Sequence, residues 1–254
     1  MTDAATFRRR LLAGDTLAGT FVKTPAHDVL EVLMLSGLDY VVIDAEHSAF
    51  DRGRLDACLA VTCARGFPTL VRVGAGSQQA LQQVLDAGAT GVVVPHVDTL
   101  EKAERVARFA RFGHGGRGYA GSTRWAGYTT RPMAELLERS DAETVVVVQI
   151  EEPEGVAASD AIAAVDGVDA LFAGPADLAV CLGTTDMRSD LVRDAMRTSA
   201  DSAKRNGKAF MTFAPDTSTA RELAELGVSA FCIGSEHGFI LDGARRLADA
   251  VHGL

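Results

Sequence analysis

No stretch of the 254-residue chain approaches the roughly 20 consecutive apolar residues needed to cross a bilayer, so no membrane-spanning helix is expected. Arg8-Arg9-Arg10 is followed only by Leu11-Leu12-Ala13, too short for the apolar centre of a secretory signal. Cysteine is scarce. Cys58, Cys63, Cys181 and Cys232 lack zinc-type spacing, so reduced, packed thiols are expected rather than a disulfide framework. A cytoplasmic protein is the expectation these absences leave. Positive charge is also short: 25 Lys and Arg against 34 Asp and Glu leave a net −9, which argues against nucleic-acid or anionic-membrane surfaces. Anionic substrates stay open, because one arginine or metal ion dominates its own surroundings. No Pro/Gly/Ser linker divides the chain, so residues 1–254 read as a single domain.

At 47% hydrophobic residues, the chain has ample material for a core. Short β-rich runs lie at 19–22, 40–43, 69–73, 91–94, 145–148, 169–172, 209–213 and 230–233. Between nearly all of them apolar residues recur at i, i+3, i+4, as in Leu30-Leu33-Met34 and Leu81-Val84-Leu85. Gly37, Gly66, Gly88, Gly167, Gly207 and Gly227 each sit where a helix would close before the next strand. Eight strands alternating with helices predict an α/β fold, a (β/α)₈ TIM barrel, with a doubly wound sheet as the alternative. One connection, about 113–132, breaks the rhythm and reads as an active-site or interface loop.

The chemistry concentrates at strand tips. Val41-Val42-Ile43 ends in Asp44-Ala45-Glu46-His47, and polar tips recur at Arg72, Gln149-Ile150-Glu151 and Gly174-Pro175-Ala176-Asp177. Barrel active sites lie at the C-terminal ends of strands. Strand parity puts Tyr40, Val42 and Asp44 on one face, and Gln149 and Glu151 on another inward one. Glu151 and Asp177 make a plausible hard-oxygen pair for Mg²⁺ or Mn²⁺, or are simply two loop acids. His47 is either a general base or a structural histidine. Arg72 clamps an oxyanion or closes a salt bridge inside the barrel. The Ala176 and Asp177 amides suit a substrate carboxylate. Lys23 is the competing Schiff-base nucleophile, although no apolar pocket around it is evident. The other histidines, His27, His96, His114, His237 and His252, lack metal-ligand spacing.

Together, Ile43-Asp44-Ala45-Glu46-His47, Val71-Arg72, Leu85-Asp86-Ala87-Gly88-Ala89, Val94-Pro95, Gln149-Ile150-Glu151 and Gly174-Pro175-Ala176-Asp177-Leu178 resemble the HpcH/HpaI aldolase family, in the family's order. The resemblance implies a class II pyruvate aldolase: a carbon–carbon lyase cleaving a 4-hydroxy-2-oxo acid to pyruvate, or a close 2-oxo acid, and an aldehyde through a metal-stabilised enolate. It implies a divalent cation (Mg²⁺, Mn²⁺ or Co²⁺) on Glu151 and Asp177, His47 as base and Arg72 as transition-state stabiliser. Gln149, Gly174, Pro175, Ala176 and Asp177 would bind the keto acid. Asp86 would assist the base across a subunit interface in a homo-oligomer, often a hexamer built as a trimer of dimers. Asp44 becomes a supporting partner and Glu46 a structural acid. Arg124 and Trp125 are candidates for the aldehyde pocket. Ala45 stands where Gly is common in the family, and Phe21–Thr24 and Met211–Pro215 also depart from its better-known members. A CoA-thioester lyase of the same superfamily and a non-catalytic keto-acid-binding barrel are the rival readings.

Overall fold

The computed structural model describes residues 3–253. Eight parallel strands close on themselves in sequential order: β1 (Leu17–Val22), β2 (Tyr40–Asp44), β3 (Thr69–Arg72), β4 (Gly91–Val94), β5 (Val145–Ile150), β6 (Ala170–Ala173), β7 (Ala209–Ala214) and β8 (Ala230–Ser235). The TIM barrel expected from the sequence is the fold found, and the doubly wound alternative falls because β8 pairs with β1. All six expected helix-closing glycines have positive φ, which in this geometry ends each helix without a side-chain clash.

Parity sorts the side chains into two cores. Val41, Ile43, Val71, Val92, Val94, Val146 and Val148 face outward onto the helices. Tyr40, Val42, Leu70, Val93, Val147 and Phe172 fill the interior. Gly19 makes room for the Tyr40 ring; a Cβ there would lie 2.6 Å from it. The Tyr40 hydroxyl reaches Cys232 Sγ at 3.6 Å. The barrel is therefore solid below its mouth.

A helix not expected from the sequence, α1 (Ala4–Leu12), precedes β1. Asp3 caps it by accepting from the Thr6 amide at 2.7 Å. Its Phe7 and Leu11 are fully buried against the barrel floor, with Phe7 5.3 Å from Tyr40 between ring centres. Burying each such side chain stabilises by roughly 1.5–3 kcal/mol. Arg8 donates to Asp169 and Arg10 to Asp39, so two of the three arginines anchor this plug.

The outer helices are α2 (His27–Leu33), α3 (Arg52–Ala64), α4 (Gln78–Asp86), α5 (Leu100–Phe109), α6 (Met133–Glu143), α7 (Pro153–Ala163), α8 (Pro175–Cys181), α9 (Asp190–Arg205), α10 (Thr217–Ala224) and α11 (Glu236–His252). The last is unlike the rest. Glu236 is its only buried residue, and Phe239, Ile240, Leu241, Leu247 and Val251 are exposed. On the neighbouring flank Val32 and Leu35 are exposed too, and α10 buries no residue. None of the described helices is long and apolar enough to cross a membrane. All four cysteines are free, but only Cys58 and Cys232 are buried; Cys181 is exposed on α8, against the expectation of packed thiols.

Candidate active site

At the C-terminal tip of β2, Asp44 is fully buried. Its Oδ1 accepts the backbone amides of Glu46 (3.2 Å) and His47 (3.0 Å), a turn that an aspartate favours by mimicking backbone. Asp44 is in register with Arg72 on β3, and the guanidinium grips it with two bonds, Nε to Oδ1 at 3.0 Å and Nη2 to Oδ2 at 2.8 Å. Lys23 Nζ adds a contact to Oδ2 at 3.1 Å. Burial by itself would raise the Asp44 carboxyl; hydrogen bonds from Arg72, the His47 amide and Lys23 outweigh it and hold the group at about 2.

Arg72 carries further contacts. Its guanidinium stacks 4.7 Å over the Phe21 ring, and Nε lies 3.3 Å from Glu46 Oε2. Nη1 has no protein partner among the described residues. The salt bridge and the clamp that the sequence left as alternatives are thus compatible: two nitrogens are spent on acids and one is spare. Glu46, expected to be a structural acid, is nearly buried between Arg72 and His47, whose Nε2 is 3.7 Å away. The His47 ring is otherwise exposed, and Asp44 meets its amide rather than its imidazole.

Across the mouth, β5 presents Gln149 and Glu151 as parity required, both buried. Gln149 Nε2 donates to Glu151 Oε2. Gly174 caps α8, with Pro175, Ala176 and Asp177 forming its first turn, where amides lack intrahelical acceptors. A Cβ on Gly174 would fall 2.9 Å from Asp177 Oδ2, 3.3 Å from Gln149 Nε2 and 3.4 Å from Glu151 Cβ, so glycine lets these three side chains converge. Burial raises the Glu151 carboxyl, His96 opposes the shift, and Asp177 and Glu46 add to it by repulsion. A buried Glu151 repelled by a more exposed Asp177, beside a Gln149 Oε1 with no partner among the described residues, is a donor set suited to a hard divalent cation. Among the described residues no group of three or more His, Cys, Asp and Glu is placed to hold a metal, so water or substrate oxygens would have to complete an octahedron.

His96 is the residue the sequence reading passed over. It follows β4 by two positions, its amide donates to Glu151 Oε1 at 2.7 Å, and its Nδ1 lies 3.0 Å from the same oxygen. The strand-tip rule that selected Arg72 and Glu151 also covers Val93-Val94-Pro95-His96; spacing between histidines was the wrong criterion.

Three candidates stand away from this mouth. Asp86 ends α4, and helices of this fold run back toward the N-terminal end of the strands. There Arg117 binds it at 2.6 Å, itself fully buried between the Phe112 and Trp125 rings. Trp125 packs on Phe112 and Arg139, and Arg124 pairs with Asp56 at 2.6 Å and with the Ala87 carbonyl. The expectation that Arg124 and Trp125 line the aldehyde pocket is therefore not met within their own barrel, because these ion and ring contacts fix the 113–132 loop to its flank. A groove of about 1250 Å³ runs from Ala45 and Gly74 at the rim down between α3 and α4 to Asp86 and Arg124. Lys23 is no buried amine: it is a third exposed and ion-paired.

A (β/α)₈ barrel with an arginine–acid clamp and a carboxylate pair at the C-terminal tips of its strands has its polar groups where barrel enzymes carry their active sites. The chain belongs to the HpcH/HpaI aldolase/citrate lyase family, whose model matches residues 17–242, and it is a lyase. It is 31% identical over 249 residues to a hydroxypyruvate/pyruvate aldolase of Pseudomonas aeruginosa, covering 97% of this chain and 92% of that protein. It is 35% identical to a 5-keto-4-deoxy-D-glucarate aldolase of Klebsiella pneumoniae subsp. pneumoniae, covering 87% and 86%. The crystal structure of an HpcH/HpaI aldolase/citrate lyase family protein from Burkholderia cenocepacia J2315 superposes with a TM-score of 0.91 at 32% identity, covering 98% and 99%.

Proposed function

We propose that this lyase cleaves a 4-hydroxy-2-oxo acid, reversibly, to pyruvate or a close 2-oxo acid and an aldehyde. The relatives named as hydroxypyruvate/pyruvate and 5-keto-4-deoxy-D-glucarate aldolases support that substrate class. The observation that carries the reading is the unneutralised pair of Glu151 and Asp177 facing a guanidinium with one spare nitrogen. Glu151 and Asp177 would hold Mg²⁺, Mn²⁺ or Co²⁺, which when bound supplies Lewis-acid polarisation of a keto oxygen.

The chain's own residues supply the rest. Gln149 and the first-turn amides of Ala176 and Asp177 would orient the 2-oxo acid. In cleavage His47 takes the proton of the 4-hydroxyl, the C3–C4 bond breaks, and its electron pair passes into the keto-acid half. Arg72 Nη1 then meets the charge developing on the keto oxygen, while Asp44 and Glu46 fix the guanidinium so that it does not reorganise during the step. His47 is exposed, which suits a base that exchanges its proton with solvent between turnovers.

A homo-oligomer belongs to the same reading. The bare apolar side of α11, the uncovered flank beside α2 and α10, and the α3–α4 groove ending at Asp86 support contacts with further copies, through which Asp86 would assist a neighbour's His47.

Exchange of pyruvate C3 protons for deuterium, followed by NMR with and without EDTA, tests the mechanism. Exchange that stops on chelation and returns with Mn²⁺ or Mg²⁺ is expected. EDTA-resistant exchange together with borohydride trapping at Lys23 would sink it in favour of a Schiff base.

A further inference from the structure

Among the described residues His96 is one of three non-glycine residues with positive φ, at +56°, a region that side chains with a Cβ occupy at a cost. The distortion has a visible return. It lets the His96 amide donate to Glu151 Oε1 (2.7 Å) and brings ring Nδ1 within 3.0 Å of the same oxygen. Nδ1 also lies 3.1 Å from Glu152 Oε1. Two carboxylates surround it, and carboxylates only accept, so Nδ1 carries the hydrogen. The peptide is held from below as well: Lys102 Nζ donates to the His96 carbonyl at 3.1 Å and to Asp98 at 2.7 Å. With Oε1 accepting the His96 amide at the tip of β4, the oxygen on the side of the Gly174 cradle is Oε2, which accepts from Gln149 Nε2.

We propose that His96 is a positioning residue that fixes Glu151 as a one-oxygen ligand, presenting Oε2 to a divalent cation and barring two-oxygen chelation. The inference rests on Glu151 being a metal ligand. It makes His96 a determinant of cation choice: one-oxygen ligation suits the compact octahedron of Mg²⁺ or Mn²⁺, whereas the wider shell of Ca²⁺ gains from two-oxygen binding.

The test separates backbone from ring, using the full-length protein and Mn²⁺ or Ca²⁺ as probes without substrate. His96→Gly keeps the amide and relieves the backbone but removes the ring. His96→Asn tolerates the left-handed backbone and restores a donor. Mn²⁺ affinity, read from the EPR signal of the free ion, should fall about tenfold in His96→Gly, as when an outer partner of a metal ligand is lost. It should recover partly in His96→Asn, and the preference for Mn²⁺ over Ca²⁺ should shrink in His96→Gly. Circular dichroism and the metal-free melting temperature report whether each variant is folded. Unchanged Mn²⁺ affinity and preference in folded His96→Gly, with binding abolished by Glu151→Gln, overturns the role of His96 alone. A directly bonded nitrogen in the pulsed EPR spectrum also overturns it, by making His96 a ligand. Unchanged Mn²⁺ binding in Glu151→Gln overturns the metal reading beneath it.

Discussion

Replacing Asp44 by Asn leaves shape and volume nearly intact while removing one charge from the centre of the mouth. An amide oxygen can still accept from the Glu46 and His47 backbones, but its NH₂ group would face the guanidinium of Arg72, a residue only 8% exposed. Glu46, 3.3 Å from Arg72 Nε, would compensate in part. Breaking a buried pair by removing one partner costs about 3–5 kcal/mol, and with Glu46 in place the lower figure applies. For a chain of this size about 3 kcal/mol lowers Tm by roughly 6–12 °C. The penalty must also depend on pH in a definite direction. Asp44 is held at about 2, below its ordinary 3.8, so its contribution is complete above pH 4 and drains away as pH falls toward 2. Linkage gives about 2 kcal/mol at pH 7, of which about 1 kcal/mol is gone by pH 3. Urea unfolding of wild type and Asp44→Asn at pH 7 and pH 3 measures both quantities. The Asn penalty should shrink by about 1 kcal/mol at the lower pH. Equal urea midpoints at pH 7, or a penalty that does not shrink, refutes the pairing. A cycle with Arg72→Met should show coupling of at least about 1 kcal/mol.

Other outcomes are expected from the same geometry. His47→Ala should lower kcat about 10²- to 10⁴-fold with little change in Tm, since the ring is exposed and a general base contributes on that scale; steady-state kinetics and calorimetry decide it. Gly174→Ala should impair substrate and cation binding together, because the added methyl enters the space among Asp177, Gln149 and Glu151; pyruvate and Mn²⁺ titrations would read it, and wild-type affinities would contradict it. Ile240→Asp combined with Leu247→Asp should reduce the sedimentation coefficient, as expected if the bare side of α11 meets another copy; an unchanged value places the contact elsewhere. Arg117→Met should loosen the 113–132 loop, seen as faster amide exchange at Trp125, whose N–H bonds the Asp86 carbonyl.

The barrel was legible because its signals are local and repeated: a β-rich run, a helix period, a closing glycine. Strand parity then carried Asp44, Gln149 and Glu151 to one mouth, and the polar tip of β3 added Arg72, since side-chain direction alternates in any strand. What escaped depended on contacts between distant segments. α1 carries Arg8-Arg9-Arg10 and read as a charged start, yet its Phe7 and Leu11 matter only once a barrel floor exists to receive them. Glu46 read as a structural acid with no named partner; that partner is Arg72, 26 positions on, at 3.3 Å. His96 escaped because its partner is a carboxylate 55 residues away and its left-handed backbone has no signature in composition. Trp125 suggested a pocket wall; its ring is instead a surface for two guanidiniums.

The Tyr40 ring lying over Gly19 makes the interior a masonry plug with no shaft through it. Nothing longer can be accommodated by digging deeper, since each lower course is already occupied by another strand's side chain and α1 seals the base. Variation in what this scaffold accepts must therefore be horizontal, in the rim loops and the neighbours that crowd them. Directed evolution for a bulkier aldehyde would do well to leave the barrel staves alone and randomise the parapet.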